Sequence, residues 1–302
     1  DGKIMRSPHY GKVTPFFYRT DMLKEAGYVD EDGDADPPDN WEEVIEYAKE
    51  LTKDTNGDGV IDVYGVGFDA HLSTVHVTLE NFLHMAGTRL IKEDGVTPAL
   101  NNPQGLKTLK FMRDLVVKYE VAPPNPQTID QGDQYDLFAS GKLAMMFQEG
   151  STMFKLAETV IPHDVVVNPT PKGMPTSGYV YIDTQHLNKY SKKKEAAKAF
   201  MEFFRSEQSM KNEMVIEGNV GLRKDVFNDP EVAEKTPHID VIKTLMKKGY
   251  TEVHSNTGQI REILDRYLTQ MFKGKLTAEE AIEKIDKDLQ ELKKWHKEKA
   301  GL

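Results

Sequence analysis

The chain contains no cysteine. Disulfides, thiolate zinc sites and cysteine nucleophiles are therefore excluded. It has only two tryptophans, Trp41 and Trp295, both assigned here to helix packing. No apolar run approaches the ~18 residues that a membrane-spanning helix requires. Basic charge is scarce: 39 Lys and Arg stand against 49 Asp and Glu, for a net charge of −10. Nucleic acid is thus not expected as a partner, since binding it relies on clustered cations that neutralise phosphates. The runs Lys192-Lys193-Lys194 and Lys293-Lys294 read as solvated helix edges beside Glu. Motifs of catalysis are missing too: no G-x-S-x-G elbow, no Walker A loop, no G-x-G-x-x-G after a strand and no H-E-x-x-H. What remains is a chain of 302 residues, 38% hydrophobic and 29% charged, long enough to build two lobes with real cores.

The pattern along the chain is mixed α/β. A helix is predicted from Asp21 to Ala26, stopped by Gly27, and another from Trp41 to about Thr52, with Asn40 as cap and Glu43 completing a capping box. Thr74 to Met85 reads as a helix ended by Gly87. Asn102 and Pro103 open a longer one whose apolar side is Leu106, Leu109, Met112, Leu115, Val116 and Tyr119. A helix near Gln131 to Ser140 feeds a strand from Leu143 to Phe147, and further strands are read at 164–168 and 179–182. Lys193 to Ser206 reads as a helix with Ala196, Ala197, Phe200, Phe203 and Phe204 turned inward, followed by one from Glu207 to Ile216. The last third is helical, ending in a long helix capped by Thr277 and Glu280 and carrying Ile282, Ile285, Leu289, Leu292 and Trp295. Recurring helix-Gly-strand units point to an α/β sheet with helices on both faces, which binds ligands in a crevice at the carboxyl ends of strands.

One local motif carries chemistry of its own. Asp54, Asn56 and Asp58 alternate, Gly59 closes the sixth place, and the backbone of Val60 and the side chain of Asp62 follow. That is the first half of an EF-hand-type calcium loop. Position twelve is Gly65, so the usual bidentate Glu is absent. The expectation is a structural calcium ion, with no organic cofactor; the competing reading is an Asx-rich turn without metal. The acidic loop Asp30, Asp32 and Asp34 lacks the sixth-place glycine and reads as a solvated insertion. His71, His76 and His84 lack the close pairing of a zinc helix and read as ordinary polar or core histidines.

Several strings, in order and spaced over almost the whole chain, carry a resemblance. They are Phe17-Tyr18-Arg19-Thr20-Asp21-Met22-Leu23-Lys24-Glu25-Ala26-Gly27, Asn40-Trp41-Glu42-Glu43, Gly141-Lys142-Leu143-Ala144-Met145-Met146, Lys194-Glu195-Ala196-Ala197-Lys198-Ala199-Phe200 and Gly274-Lys275-Leu276-Thr277-Ala278-Glu279-Glu280-Ala281. Together they resemble the extracellular solute-binding proteins of ABC transporters, in the family that includes the maltose- and oligosaccharide-binding receptors. The resemblance implies a two-lobed α/β fold joined by crossing strands, with a hinge that closes both lobes over a ligand. In that family a string like Asp1-Gly2-Lys3-Ile4 follows a block that builds most of the first lobe. The chain is accordingly expected to hold an incomplete N-terminal lobe, from residues 1–15 and 178–223, and a C-terminal lobe from 16–177 and 224–302. Asp1-Gly2-Lys3-Ile4 is not itself a signal peptide, so an export signal is expected outside this sequence.

The resemblance also supplies the expected site. The segment Glu149, Ser151 and Thr152 enters the cleft, Gln259 and Arg261 stand where relatives place a stacking aromatic, and His84 stands near where many carry tryptophan. Lys12 and Arg261 suit an anionic group, so an acidic sugar such as a uronate joins neutral oligosaccharides among the expected ligands. Tyr10, Phe16, Tyr179 and Tyr181 are the candidate stacking rings, with strand packing as the alternative use. The function implied is a non-enzymatic, monomeric, periplasmic or extracellular receptor, lipid-anchored before processing, that hands an oligosaccharide to a membrane ABC permease. The alternatives are a carbohydrate-active enzyme on an α/β scaffold and a calcium-dependent interaction module.

Overall fold

The computed structural model describes residues 7–252 and 254–300. The opening string Asp1-Gly2-Lys3-Ile4 lies outside them. Two sheets organise the chain. The first is antiparallel and three-stranded, in the order β6-β1-β7, with β1 at Ser7–Val13, β6 at Val180–Gln185 and β7 at Val220–Gly221. The second has four strands in the order β3-β4-β2-β5, from β2 (Phe16–Tyr18), β3 (Tyr64–Phe68), β4 (Leu143–Phe147) and β5 (Asp164–Val166). Within it β3 runs parallel to β4, while β2 is antiparallel to both β4 and β5. The mixture follows from the connections: helices separate β3 from β4, whereas β2 arrives directly from the other sheet.

The chain passes between the sheets at Thr14-Pro15 and again before β6. Asn81 ties the two passages together. Its side-chain oxygen accepts from the Thr14 hydroxyl at 2.6 Å and from the Tyr179 backbone N–H at 2.9 Å. Asn168 adds a bond from its amide to the Thr14 carbonyl at 2.7 Å. These are buried polar atoms with partners, which fixes the crossing geometry more sharply than apolar contact alone.

The helices are α1 (Thr20–Glu25), α2 (Trp41–Leu51), α3 (Val75–Met85), α4 (Pro103–Arg113), α5 (Gln131–Ala139), α6 (Thr152–Ala157), α7 (Lys194–Phe204), α8 (Glu207–Asn212), α9 (Lys224–Phe227), α10 (Pro230–Lys235), α11 (Ile239–Lys248), α12 (Thr257–Phe272) and α13 (Ala278–Ala300). Local signals start several of them. The Asn40 side chain accepts from the Glu43 N–H at 3.1 Å, and Asn102 accepts from the Gln104 and Gly105 N–H groups ahead of Pro103. The largest core lies around α2, α3, α4 and the second sheet. Trp41 stacks on Phe111 with ring centres 4.1 Å apart, and Phe82 meets Phe147 at 4.7 Å. Each such ring, fully buried, contributes about 1.5–3 kcal/mol.

Three expectations need correction. The helix over Lys193–Ser206 forms as α7, but its apolar face is not inward: no α7 residue is buried, and Phe200 and Phe203 are 60% and 61% exposed. Trp295 is likewise 44% exposed on α13, whose buried side stops at Leu289. The helix read from Glu207 to Ile216 ends its α-helical part at Asn212 and continues as a π-helical turn, Glu213–Glu217, before Gly218. A second π-turn, Asp114–Lys118, ends the α4 segment. Strands β1 and β2 escape pattern reading, because β1 contains Pro8 and Gly11 and β2 is three fully buried residues with no alternation.

Candidate functional site

A cavity of about 580 Å³ lies between β6 of the first sheet and the helices α3 and α12, which pack on the second. Its walls include Tyr179, Tyr181, Asp183, Thr184, Thr257 and Arg261. Asp183 sits beside both Tyr181 and Tyr10. Burial first, then the Asp183 carboxylate, holds both hydroxyls protonated beyond the normal tyrosine range. Arg261 lies on the imidazole of His76, with Nε donating to Nδ1 at 3.2 Å and the guanidinium 3.3 Å from Nε2. Burial and then the Arg261 charge push the His76 pKa down to about 3, so His76 is a neutral acceptor at ordinary pH. Neither α3 nor α12 has a side-chain cap on its first turn, and both begin at this cavity with His76 and Thr257. The Val75 N–H at the start of α3 already donates to the His71 carbonyl at 2.7 Å.

Behind the wall is a network of carboxylates and imidazoles. His76, Glu80 and His84 follow one another at four-residue intervals on α3, hence on one helix face. The Glu80 side chain is completely buried and makes a short hydrogen bond with His254 Nε2. Glu252 lies 3.9 Å from the same imidazole and 3.2 Å from His84 Nε2, and it accepts from the Ile91 N–H at 3.2 Å. The 3.2 Å approach of His84 is an ion-pair distance without hydrogen-bond alignment: both His84 Nε2 and Glu252 Oε1 lack a hydrogen-bond partner, as does His254 Nδ1, while the Tyr179 hydroxyl bonds to the Glu80 carboxylate. Burial raises the Glu80 pKa. Burial alone would lower that of His254, but its bond to Glu80 and the Glu80 charge outweigh burial and raise it.

The other expected site residues are dispersed. Lys12 and Ser151 border a second cavity of about 600 Å³, with Phe154, Lys155 and Asn219. Glu149 is buried; it accepts from the Ser151 N–H at 3.0 Å and from the Ser151 hydroxyl, and Lys12 Nζ lies 3.6 Å from it. Thr152 is buried at the start of α6. Tyr179 is buried at the first cavity, His84 is buried against Tyr250 and Tyr179, and Gln259 is exposed on α12. Tyr10 is half-buried on β1. In the loop at 54–62, Asp54 accepts from the Gly57 and Gly59 N–H groups at 2.7 and 2.8 Å, Asn56 from Asp58, Asp58 from Val60, and Asp62 from Thr55. Among the described residues the acid and histidine side chains that converge within 4.8 Å are Glu80, Glu252 and His254, not these.

Glu80, Asp183, Glu252 and His254 were not singled out from sequence. Two signals were available: the His76-Glu80-His84 stripe on α3 and the alternation of Glu252 with His254.

A family model described as bacterial extracellular solute-binding protein matches residues 2–211. Solved structures share the fold. A maltose-bound MalE3 of T. maritima matches 97% of this chain and 73% of its own, with 22% identity and a TM-score of 0.83. A ribitol-bound solute-binding protein of Agrobacterium radiobacter K84 matches 97% and 72%, at 22% identity and 0.79. The maltotriose-bound MalE domain of Bdellovibrio bacteriovorus matches 97% and 73%, at 20% and 0.78. The architecture is therefore the two-lobed α/β binding-protein fold.

Proposed function

This chain belongs to the bacterial extracellular solute-binding protein family, and from that premise we propose that it is the receptor of an ABC importer for a neutral sugar or polyol. The observation that carries the reading is the 580 Å³ cavity between β6 and α12, where the Tyr181 ring stands among Asp183, Thr184 and Arg261. A sugar offers C–H faces to an aromatic ring and hydroxyls to forked donors and acceptors, and such a site supplies both. The size is within the few hundred to ~1,000 Å³ of small-molecule sites. Structures of the same fold with maltose and ribitol support this ligand class.

An oligosaccharide is the form we favour. A neutral ligand is favoured over a uronate, because the carboxylates of Asp183 and Glu252 share the cavity wall with Arg261, and Lys12 faces Glu149 at another cavity. In this reading residues 1–15 with 178–223, and 16–177 with 224–302, are the two lobes, and they close about Asn81 at the crossings. The receptor acts as a monomer in the periplasm or outside the cell, lipid-anchored before processing, and its outer faces meet the permease. Calcium at Asp54, Asn56, Asp58, Val60 and Asp62 would tie one turn, with weak affinity on the order of 10⁻⁴–10⁻³ M because Gly65 replaces the bidentate ligand.

Titration calorimetry with maltose-series oligosaccharides, ribitol and uronates tests the reading. Heat of binding from a neutral sugar or polyol, with the sugar recovered intact by chromatography, is the expected result. Cleavage products would move the assignment to an enzyme, and partner capture lost only on chelation would move it to a calcium-dependent module.

A further inference from the structure

We propose that Glu80, Glu252 and His254 form a binding site for one divalent transition-metal ion of the zinc class, at the floor of the solute cavity. Their ligand atoms lie within 4.8 Å of one another, and the three side chains are 0%, 4% and 3% exposed. Two buried carboxylates side by side are costly unless something cationic stands between them. His254 can give one N–H to that side of the cluster, and its Nε2 faces both Glu80 and Glu252. A single proton cannot satisfy both at once. The Tyr179 hydroxyl serves the Glu80 carboxylate, but Glu252 Oε1, on a side chain 4% exposed, is left without any hydrogen-bond partner.

A divalent ion resolves this arrangement. It accepts a lone pair from the neutral imidazole and one from each carboxylate, and it balances their two negative charges. Two carboxylates and one imidazole suit zinc, cobalt or manganese rather than a thiophilic ion. His84 Nε2, 3.2 Å from Glu252 Oε1, stands directly behind the carboxylate, in the layer where outer groups sit at metal sites. Glu252 and His254 line the cavity, so the open coordination positions face the solute. The donor set differs from the all-oxygen loop at 54–62, which suits a hard ion.

The test uses the purified full chain, stripped with chelator and dialysed. Zinc, cobalt and calcium are titrated separately, following thermal midpoint, calorimetric stoichiometry and, for cobalt, visible absorption. Zinc and cobalt are expected to bind at one per chain and to raise the midpoint by several degrees. Affinity should fall at least tenfold in Glu80→Gln and in His254→Gln, and be unchanged in Asp54→Asn. Each variant is first shown to fold by its metal-free melt; if His254→Gln does not fold, Glu80→Gln and the cobalt spectrum decide. Zinc binding weaker than millimolar would overturn the proposal, as would affinity unaltered by Glu80→Gln. Sugar titrations with chelator present are read separately, so failure of the solute assignment is distinct from failure of the metal site.

Discussion

The carboxylate of Glu80 and the imidazole of His254 meet in a short hydrogen bond, 174 residues apart in sequence and 0% and 3% exposed. The bond joins α3 to the segment ahead of α12, so one wall of the cavity is held by it. Truncating Glu80 to Ala strands His254 without its acceptor. In the metal-free chain we expect a loss of about 3–5 kcal/mol, the usual cost of breaking a buried pair from one side. Urea unfolding measures it. Removing His254 as well, in Glu80→Ala/His254→Leu, should recover part of the loss. A single-variant loss below about 1 kcal/mol would mean that the pair is not coupled to stability.

His76 makes stability depend on pH in a predictable direction. Its folded pKa is depressed to about 3 by burial and by Arg261, against about 6.5 when unfolded. The unfolded chain therefore binds a proton first as pH falls. His76 costs nothing above about pH 7, and it destabilises progressively from there down towards pH 3. The stability difference between wild type and His76→Gln should shrink by about 2 kcal/mol between about pH 7.5 and pH 5. Parallel curves across that range would show that His76 is hydrated or free of Arg261.

What the sequence revealed and what it concealed divide by range. Asn40, the Asn102-Pro103 start and the strand Leu143–Phe147 were legible because each is fixed by neighbours a few residues away. The α7 helix was legible as a helix, but periodicity reports amphipathicity and not what covers the apolar side. Phe200 and Phe203 were therefore placed inward wrongly. The cavity floor was concealed because Glu80 and His254 are brought together by the fold alone. Of the expected ligand-site residues, Tyr179 and Arg261 line the first cavity, while Lys12 and Ser151 line the second.

Gly65 illustrates a residue whose role changes with the structure. In the calcium-loop pattern it is a missing ligand. In the fold it is the point where β3 presses on α2: a Cβ there would lie 2.1 Å from the Ala48 carbonyl oxygen and 2.4 Å from its Cα. Backbone cannot yield cheaply, so Gly65→Ala should cost at least about 2 kcal/mol or prevent folding. Gly258→Ala is the control, with nothing within 4 Å of its Cβ and a helical position in α12. It should be neutral or stabilising by up to about 1 kcal/mol. The same packing keeps a bidentate Glu out of the loop. Millimolar calcium should then stabilise the chain by no more than about 1.5 kcal/mol, an effect that Asp54→Asn abolishes.

Tyr181 is the aromatic face the solute reading requires. Tyr181→Ala should weaken sugar or polyol binding about tenfold or more, as loss of a buried aromatic anchor does. Tyr181→Phe should stay within about threefold, since the ring remains. Lys155→Ala, at the second cavity, should leave affinity unchanged. Calorimetry on the three variants separates the cavities, and an effect of Lys155 with none of Tyr181 would move the solute to the second.

The exposed face of α7 has its own consequence. Phe200 and Phe203 lie on one side of the helix with Phe204, which packs edge-on against His9 with ring centres 4.6 Å apart. Phe200 and Phe203 touch Phe204 edge-on, with ring centres 4.7 and 5.7 Å away, but leave most of their surface to water. Such a patch is a surface for contact and adds little to the folding of the chain itself. Replacing both exposed rings, in Phe200→Ser/Phe203→Ser, should change unfolding free energy by no more than about 0.5 kcal/mol each, the usual range for surface positions. Phe204→Ser, by contrast, should destabilise, because it removes a packed ring beside β1. If the double variant unfolds as readily as Phe204→Ser, the α7 face is covered in solution by something that water does not displace.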